Sequence, residues 1–173
     1  GGGGGAGGAG GNGATDGSEA GDGGAGVQVL IAGPSATSFT GVGAKNPSNN
    51  QYQYFAGGGG GAAVYASQTG TPGGAGGLGG GGRGDDSDTQ YRASGESNTG
   101  GGGGGGRNPS IGGNGGSGVV IVRYQIGSVV SAKATGGAIS FYGGQTIHTF
   151  TGSGTFDVTG ASPLAVTYLM VAG

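Results

Sequence analysis

Residues 100–126, GGGGGGGRNPSIGGNGGSGVVIVRYQI, contain the two kinds of sequence from which the chain is built. The first part is almost pure glycine, broken by a short polar loop. The last part, residues 119–126, is a nearly continuous β-branched run, which predicts a strand that is covered on both faces or packed on a neighbour. The abrupt change predicts a boundary between a glycine-rich part, residues 1–118, and a small antiparallel β-domain, residues 119–173.

Composition supports this division. Glycine accounts for 55 of the 173 residues, several times its ordinary usage. Of the 27 Leu, Ile, Val and Phe residues, 17 lie in residues 119–173, so we expect that part to carry most of the apolar core. Two short strands are expected in the glycine-rich part, at 27–33 and 51–56. No window has apolar residues at helical spacing with capping residues, which predicts an all-β chain without an α-helix.

The C-terminal part is predicted to contain a hairpin and a closing strand. The pair Gly143-Gly144 separates the runs AISFY and QTIHTF and tolerates the positive φ values of a two-residue hairpin turn. Residues 166–171, VTYLMV, alternate enough to form a last strand. We expect this strand to pair beside residues 119–124, because an unpartnered apolar strand would leave N–H and C=O groups unpaired at a sheet edge.

A second hairpin is predicted from HTFTGSGTFDV, which is nearly palindromic about Ser153. In such a hairpin Phe150 would face Phe156, and His148 would pair with Val158. Cross-strand aromatic pairs stabilise a ladder by about 0.2–1 kcal/mol each.

The glycine-rich part has a period of three residues. The first non-glycine residues to follow this period are Ala6, Ala9, Asn12, Thr15 and Ser18, and residues 73–82 and 112–118 repeat it. The polyproline II conformation has three residues per turn and no internal hydrogen bonds, so its backbone groups must bond to neighbours or water. We therefore predict a bundle of polyglycine II (polyproline II-type) helices in which glycine is required wherever chains approach closely. A disordered linker is the alternative, because ordering a residue costs about 1–2 kcal/mol.

Several function classes are disfavoured by composition. Six Lys and Arg residues against eight Asp and Glu give no basic face for nucleic acid, and the apolar runs fall far short of the ~20 residues needed for membrane insertion. The chain has no cysteine, and its single histidine, His148, has no acid or base partner that the sequence forces next to it. We expect no enzyme, no catalytic residues and no cofactor, with His148 structural or solvent-facing.

One candidate ligand face lies in NNQYQYF, where Tyr52, Tyr54 and Phe55 are clustered. Tyr52 and Tyr54 would share one face of a strand with an amide between them. Aromatic rings pack on the CH groups of a sugar while amides satisfy its hydroxyls, which would suit carbohydrate binding. The alternative is that the same face packs between modules.

The densest acidic cluster comprises Asp85, Asp86 and Asp88, with Glu96 nearby in sequence. Carboxylate oxygens are the ligands that Ca²⁺ prefers, so this is a weak calcium candidate, although the spacing of an EF-hand is missing. A solvated loop is the alternative. The tripeptide Arg83-Gly84-Asp85 matches a short adhesion motif, which a glycine-rich chain also produces by chance.

Three apolar strands end in Ala-Gly: LIAG at 30–33, YFAG at 54–57 and MVAG at 170–173. A second copy placed after residue 173 would repeat the transition from strand to glycine run. The chain is therefore interpreted as one period or excerpt of an array, with neighbouring copies of itself as head-to-tail partners.

The strings TIHTFTGSGTFDV, LAVTYLMVAG and GGSGVVIVRY resemble the glycine-rich repeat modules of bacteriophage tail-fibre and adhesin-like proteins and of some secreted bacterial surface proteins. The resemblance covers mainly residues 112–173. It implies a small β-domain whose strands lead into and out of a glycine-helix bundle, in an extracellular or virion-surface appendage used in host attachment. The first interpretation is a structural module of such a fibre. The alternatives are an adhesin domain that binds a cell-surface glycan or an outer-membrane protein receptor, and an ice-binding protein.

Overall fold

The computed structural model describes residues 1–16, 18–33, 42–63, 71–86, 92–109, 111–126, 132–160 and 163–173, and these contain eight strands and no helix. The strands are β1 (Val27–Gln28), β2 (Tyr54–Phe55), β3 (Val119–Gln125), β4 (Ala134–Thr135), β5 (Ala138–Tyr142), β6 (Gln145–Phe150), β7 (Asp157–Val158) and β8 (Thr167–Val171). The described chain is therefore built from small antiparallel sheets, which is the all-β class that the sequence predicts.

The largest sheet has the strand order β5-β6-β3-β8, and every neighbouring pair in it is antiparallel. The β-branched run forms the central strand β3, which makes six residue pairs with β6 and five with β8. The prediction that the last strand pairs beside residues 119–124 is confirmed. The hairpin between β5 and β6 is also confirmed, and its turn residues Gly143 and Gly144 have the positive φ values of 58° and 73°.

The second predicted hairpin is wrong. Phe150 does not face Phe156 but pairs with Val120, and His148 pairs with Val122 and Ile139 instead of Val158. The long β-branched strand offers six consecutive partners to β6, whereas the palindrome offers only a few. The segment after β6 instead packs on the large sheet, where Phe156 contacts Tyr124 and His148. Its strand β7 pairs with β4 in a separate two-stranded sheet.

Glycine-rich segments run back and forth beside one another and are joined by backbone hydrogen bonds. The N–H groups of residues three apart donate to the same neighbouring segment, and consecutive residues donate to different ones. Examples are the bonds from Gly57 to Gly79, Gly60 to Gly82, Gly58 to Gly24 and Gly61 to Gly21, all 2.8–3.0 Å. These segments are therefore held laterally, without bonds inside each segment.

The apolar core lies between the large sheet and the start of the glycine region. Ile121 and Ile147 from the sheet contact Ile31, Ala32 and Phe55, and all five are buried. The expectation that residues 119–173 carry most of the core is therefore only half right, because the non-glycine insert around 27–33 and 55 supplies the opposing layer.

The two short strands expected in the glycine-rich part are present but shorter than predicted. Only Val27–Gln28 and Tyr54–Phe55 pair with each other. Gln53 has a φ of 67°, which ends β2 on its N-terminal side, and its side chain replaces part of the missing ladder. Its amide oxygen accepts from the Ala32 N–H, and its amide nitrogen donates to the Gly33 carbonyl, both at 2.8 Å. The fully buried amide thus acts as an extra peptide group.

Candidate functional site

The predicted aromatic face is divided by the structure. Phe55 is 1% exposed and belongs to the core, whereas Tyr52 and Tyr54 are partly buried at the surface. The Lys45 ammonium lies 5.9 Å from the centre of the Tyr52 ring, and the Asn46 amide donates to the Tyr54 hydroxyl at 3.5 Å. Two tyrosines with an adjacent amide and a cation remain accessible here, next to an exposed turn at residues 47–50.

The described members of the acidic cluster do not form one site. Asp85 is fully buried, and its carboxylate accepts a hydrogen bond from the Arg107 N–H at 3.4 Å. Asp86 forms an ion pair of 3.5 Å with Arg83, and Asp88 lies outside the described residues. No group of three or more potential metal ligands occurs in the part of the chain that the structure describes. The burial of Asp85 also hides the carboxylate of the Arg83-Gly84-Asp85 tripeptide.

Glu96 is held away from Asp85 by the pairing of their two segments. The Glu96 N–H donates to the Gly80 carbonyl at 2.8 Å, and the Ala93 N–H donates to the Arg83 carbonyl at 2.9 Å, so the segments run antiparallel. Glu96 thus lies level with Gly80, whereas Asp85 lies beyond Arg83 at the other end of the pairing. Burial raises the pKa of the Glu96 carboxyl above its ordinary value. Glu96 is therefore a partly desolvated carboxyl beside a glycine turn. It supplies no further ligand to the acidic cluster.

His148 is the centre of a buried polar network. Its Nδ1 is 2.6 Å from the Gly136 carbonyl oxygen, and its Nε2 is 3.1 Å from the Tyr124 hydroxyl. Because a carbonyl can only accept, Nδ1 carries the proton and Nε2 accepts from the tyrosine. The Tyr124 oxygen in turn accepts from the N–H groups of Lys133 and Ala134 at 3.0 and 3.1 Å. The network thus fastens the segment leading into β4 onto the large sheet.

Phe156 completes this contact by packing edge-on against the His148 ring, with 5.1 Å between ring centres, and against Tyr124 at 6.3 Å. In the sequence, the only signals for this arrangement are a tyrosine in a strand and a lone histidine. The three rings come from three separate parts of the chain, and only the long-range pairing of β3 with β6 brings Tyr124 and His148 together.

Beyond Phe156 one side of the large sheet is open. We call this surface the outer sheet face and define it by Val120, Phe150, Tyr168 and Met170. Val120 pairs with Phe150 and Met170, and Tyr168 pairs with Val122, which is itself buried. Tyr168 is 64% exposed and Met170 is 68% exposed. A contiguous apolar surface on a small protein commonly marks an interaction site.

An open cleft of about 270 Å³ adjoins this face, between Phe150 and Val120 of the sheet and the loop that carries Gly152, Gly154 and Phe156. Its lining contains no ionisable side chain. The Ser153 hydroxyl is the only side-chain polar group among the lining residues, so the cleft can hold an apolar side chain or ring.

No protein-family model, curated protein or solved structure matches the chain. Among the residues that the structure describes, no helix is long and apolar enough to cross a bilayer.

Proposed function

We propose that the chain is a non-enzymatic structural module of an extended extracellular or virion-surface fibre, in which the glycine-rich segments are polyglycine II helices and the large sheet anchors their ends. The observation that carries the proposal is the lateral hydrogen bonding at every third residue. A helix with three residues per turn points successive N–H groups about 120° apart, so residues three apart must face the same neighbour.

The same pattern recurs across separate segments. The N–H groups of Gly82 and Asp85 donate to the carbonyls of Gly102 and Gly105, respectively. The N–H groups of Gly102 and Gly105 donate in turn to the carbonyls of Gly57 and Gly60. Because Gly60 also donates to Gly82, three segments bond in a closed triangle with a repeat of three residues along each. A flexible linker has no reason to keep such a register, because its backbone groups are satisfied by water.

Close approach of the segments explains the glycine content. A Cβ atom added at Gly60 would lie 2.7 Å from the Ala75 carbonyl oxygen, and one at Gly59 would collide with the Gly103 carbonyl. Real Cβ atoms essentially never come within 3.0 Å of another heavy atom. Neither glycine has a positive φ, so the need for glycine at these positions is steric, as at the axis of collagen.

A bundle of this kind supports a mechanical role better than a chemical one. Its residues form a rigid scaffold, and the exposed aromatic and apolar side chains of the outer sheet face lie on a sheet whose two edges are open within the described chain. The resemblance to tail-fibre and adhesin-like modules points the same way.

A second candidate function, a glycan-binding adhesin domain, is favoured by one observation. Tyr52 and Tyr54 are partly exposed beside Lys45, Asn46 and the exposed turn at 47–50. Binding of sugars at this face should be lost on replacing Tyr52 by Ala while the unfolding temperature stays unchanged, as read from a glycan array and a thermal scan.

The fibre proposal is tested by immunogold electron microscopy of the native source with an antibody raised against the exposed turn at 47–50. Label spaced along extended surface appendages is the expected result, and the same antibody absorbed with the peptide is the control. Label confined to the cytoplasm would contradict the proposal.

A further inference from the structure

The two outer strands of the large sheet, β5 and β8, both have open edges. Within the described chain, their backbone groups bond only to β6 and β3, respectively. Neither strand contains a charged residue or a proline, which are the usual devices that prevent an edge from pairing with another chain. Both edges are therefore able to accept a further strand.

The strand directions determine how a second copy can fit. Because all neighbouring pairs are antiparallel, β5 and β3 run one way, and β6 and β8 run the other way. A second copy in the same orientation therefore presents its β5 antiparallel to β8 of the first, with the outer sheet faces on the same side. We propose that β8 of one copy pairs with β5 of the next, so that the four-stranded sheet continues from copy to copy. This inference rests on the proposed fibre, for which it names the contact between modules.

The residues level with one another across the sheet give the register of this contact. The existing ladders align Thr167 with Ser140, Tyr168 with Ile139, and Leu169 with Ala138. Continuing these rows straight across the junction places each of the three β8 residues opposite its aligned β5 residue of the next copy. The resulting pairs are a Thr–Ser hydrogen bond, an aromatic ring against a β-branched side chain, and an apolar pair, all of which are favourable cross-strand neighbours.

A two-fold arrangement, with β8 against β8, is the competing geometry. Centred on Leu169, it would put Thr167 opposite Val171 and would leave every β5 edge open. Such a contact closes on itself as a dimer, whereas pairing of β8 with β5 uses both edges in one repeating contact. The head-to-tail contact also predicts the fibre repeat. At about 4.8 Å per strand, four strands give a rise of roughly 19 Å per copy.

The first test is sedimentation velocity of the purified 173-residue chain over a range of concentrations. Wild-type protein is expected to form an open series of oligomers. Tyr168→Lys and Ile139→Glu are each expected to weaken association by about tenfold or more, equivalent to about 1.4 kcal/mol. An equimolar mixture of the two is expected to recover assembly, because the lysine introduced in one variant then faces the glutamate introduced in the other. The control is Ile111→Lys, since Ile111 is 77% exposed and lies outside the sheets.

Three results would overturn the proposal: a wild-type chain that stays monomeric throughout, an Ile139→Glu variant that still forms a closed dimer, or a mixture that fails to recover. The second result would establish the two-fold contact instead. If immunogold microscopy labels the appendages and any of these results is also obtained, the fibre proposal is retained and the contact between modules lies at another surface.

A second measurement does not depend on the charged variants folding. The chain has no cysteine, so Thr167→Cys and Ser140→Cys introduce single thiols. On mild oxidation, the mixture is expected to give a disulfide-linked dimer that neither variant gives alone at comparable yield. Equal cross-linking of Thr167→Cys with itself would contradict the head-to-tail register.

Discussion

Replacing Gly60 by alanine should destabilise the protein through the collision of one methyl group with the neighbouring glycine segment. The new Cβ would lie 2.7 Å from the Ala75 carbonyl oxygen and would also collide with the Gly74 carbonyl group. An ordinary contact needs at least 3.4 Å, so relieving the Ala75 contact alone requires a retreat of about 0.7 Å, and the closer Gly74 carbonyl requires a larger one. Gly74 is bonded on both sides, to Gly61 and to Gly84, each at 2.9 Å, and the retreat strains both bonds.

Overpacking of this kind costs about 1–3 kcal/mol, and more where the backbone itself must move. The control is Gly115→Ala, because within the described chain, adjacent residues aside, a Cβ at Gly115 would have only the Gly101 carbonyl oxygen within 4 Å, at 3.8 Å. At such an unhindered site alanine stabilises by about 0.4–1 kcal/mol through the unfolded chain. The effect on the unfolded chain is the same in both variants, so they should differ by the overpacking cost, about 1–3 kcal/mol.

Differential scanning calorimetry is the assay, since the chain has no tryptophan. For a protein of this size each kcal/mol shifts the unfolding temperature by about 2–4 °C, so Gly60→Ala should unfold roughly 2–12 °C below Gly115→Ala. Equal unfolding temperatures for the two variants would refute the claim that close packing of glycine segments holds the structure.

Three further predictions concern single residues. Tyr124→Phe should lower the free energy of unfolding by about 2–4 kcal/mol, because it leaves His148 Nε2 and two backbone N–H groups without a partner; urea unfolding checks it, and a loss below about 0.5 kcal/mol would contradict it. Ala56→Gly should raise stability by about 0.5–1 kcal/mol, since Ala56 has a φ of 57° and glycine adopts that conformation without strain; a decrease in urea unfolding would show that the alanine methyl group matters more. Glu96→Gln should be more stable than wild type at neutral pH. Burial raises the pKa of Glu96 in the folded state. The protonated carboxyl therefore stabilises the folded protein below the ordinary value of 4.5, and this stabilisation is lost as pH rises through the raised value. If Glu96→Gln exceeds wild type in stability by the same amount at pH 3 and pH 7, this cause is wrong.

Local sequence patterns predicted three elements of the large sheet correctly. A β-branched run became the central strand, Gly143-Gly144 became the hairpin turn, and VTYLMV became the partner of that central strand. In each case the side-chain pattern or the turn residues favour the structure that forms.

Prediction failed where two pairings competed. The palindrome about Ser153 favours a local hairpin, but Phe150 and His148 find partners in the longer strand β3. Loop closure for the distant pairing costs little more than for the near one, because that cost grows only slowly with length. The number of paired residues therefore decides the outcome, and a local motif does not reveal it.

The remaining features depend on long-range neighbours. The core layer of Ile31 and Phe55 lies in a part of the chain dominated by glycine, and the buried amide of Gln53 is ordinary in sequence. The period of three predicted segments whose backbone groups bond to neighbours or water, but nearly identical repeats do not indicate which segment bonds to which. Glu96 does not join Asp85 because the antiparallel pairing of their segments places it level with Gly80.

Amide hydrogen exchange measured residue by residue across 101–106 tests the bundle most directly. The N–H groups of Gly102 and Gly105 donate to Gly57 and Gly60 at 2.9 and 2.8 Å, whereas within the described structure Gly103 and Gly106 donate no backbone hydrogen bond. We predict slow exchange at Gly102 and Gly105 and faster exchange at Gly103 and Gly106, a pattern with a period of three in a run of identical residues. Uniform exchange at random-coil rates throughout this run would contradict the account.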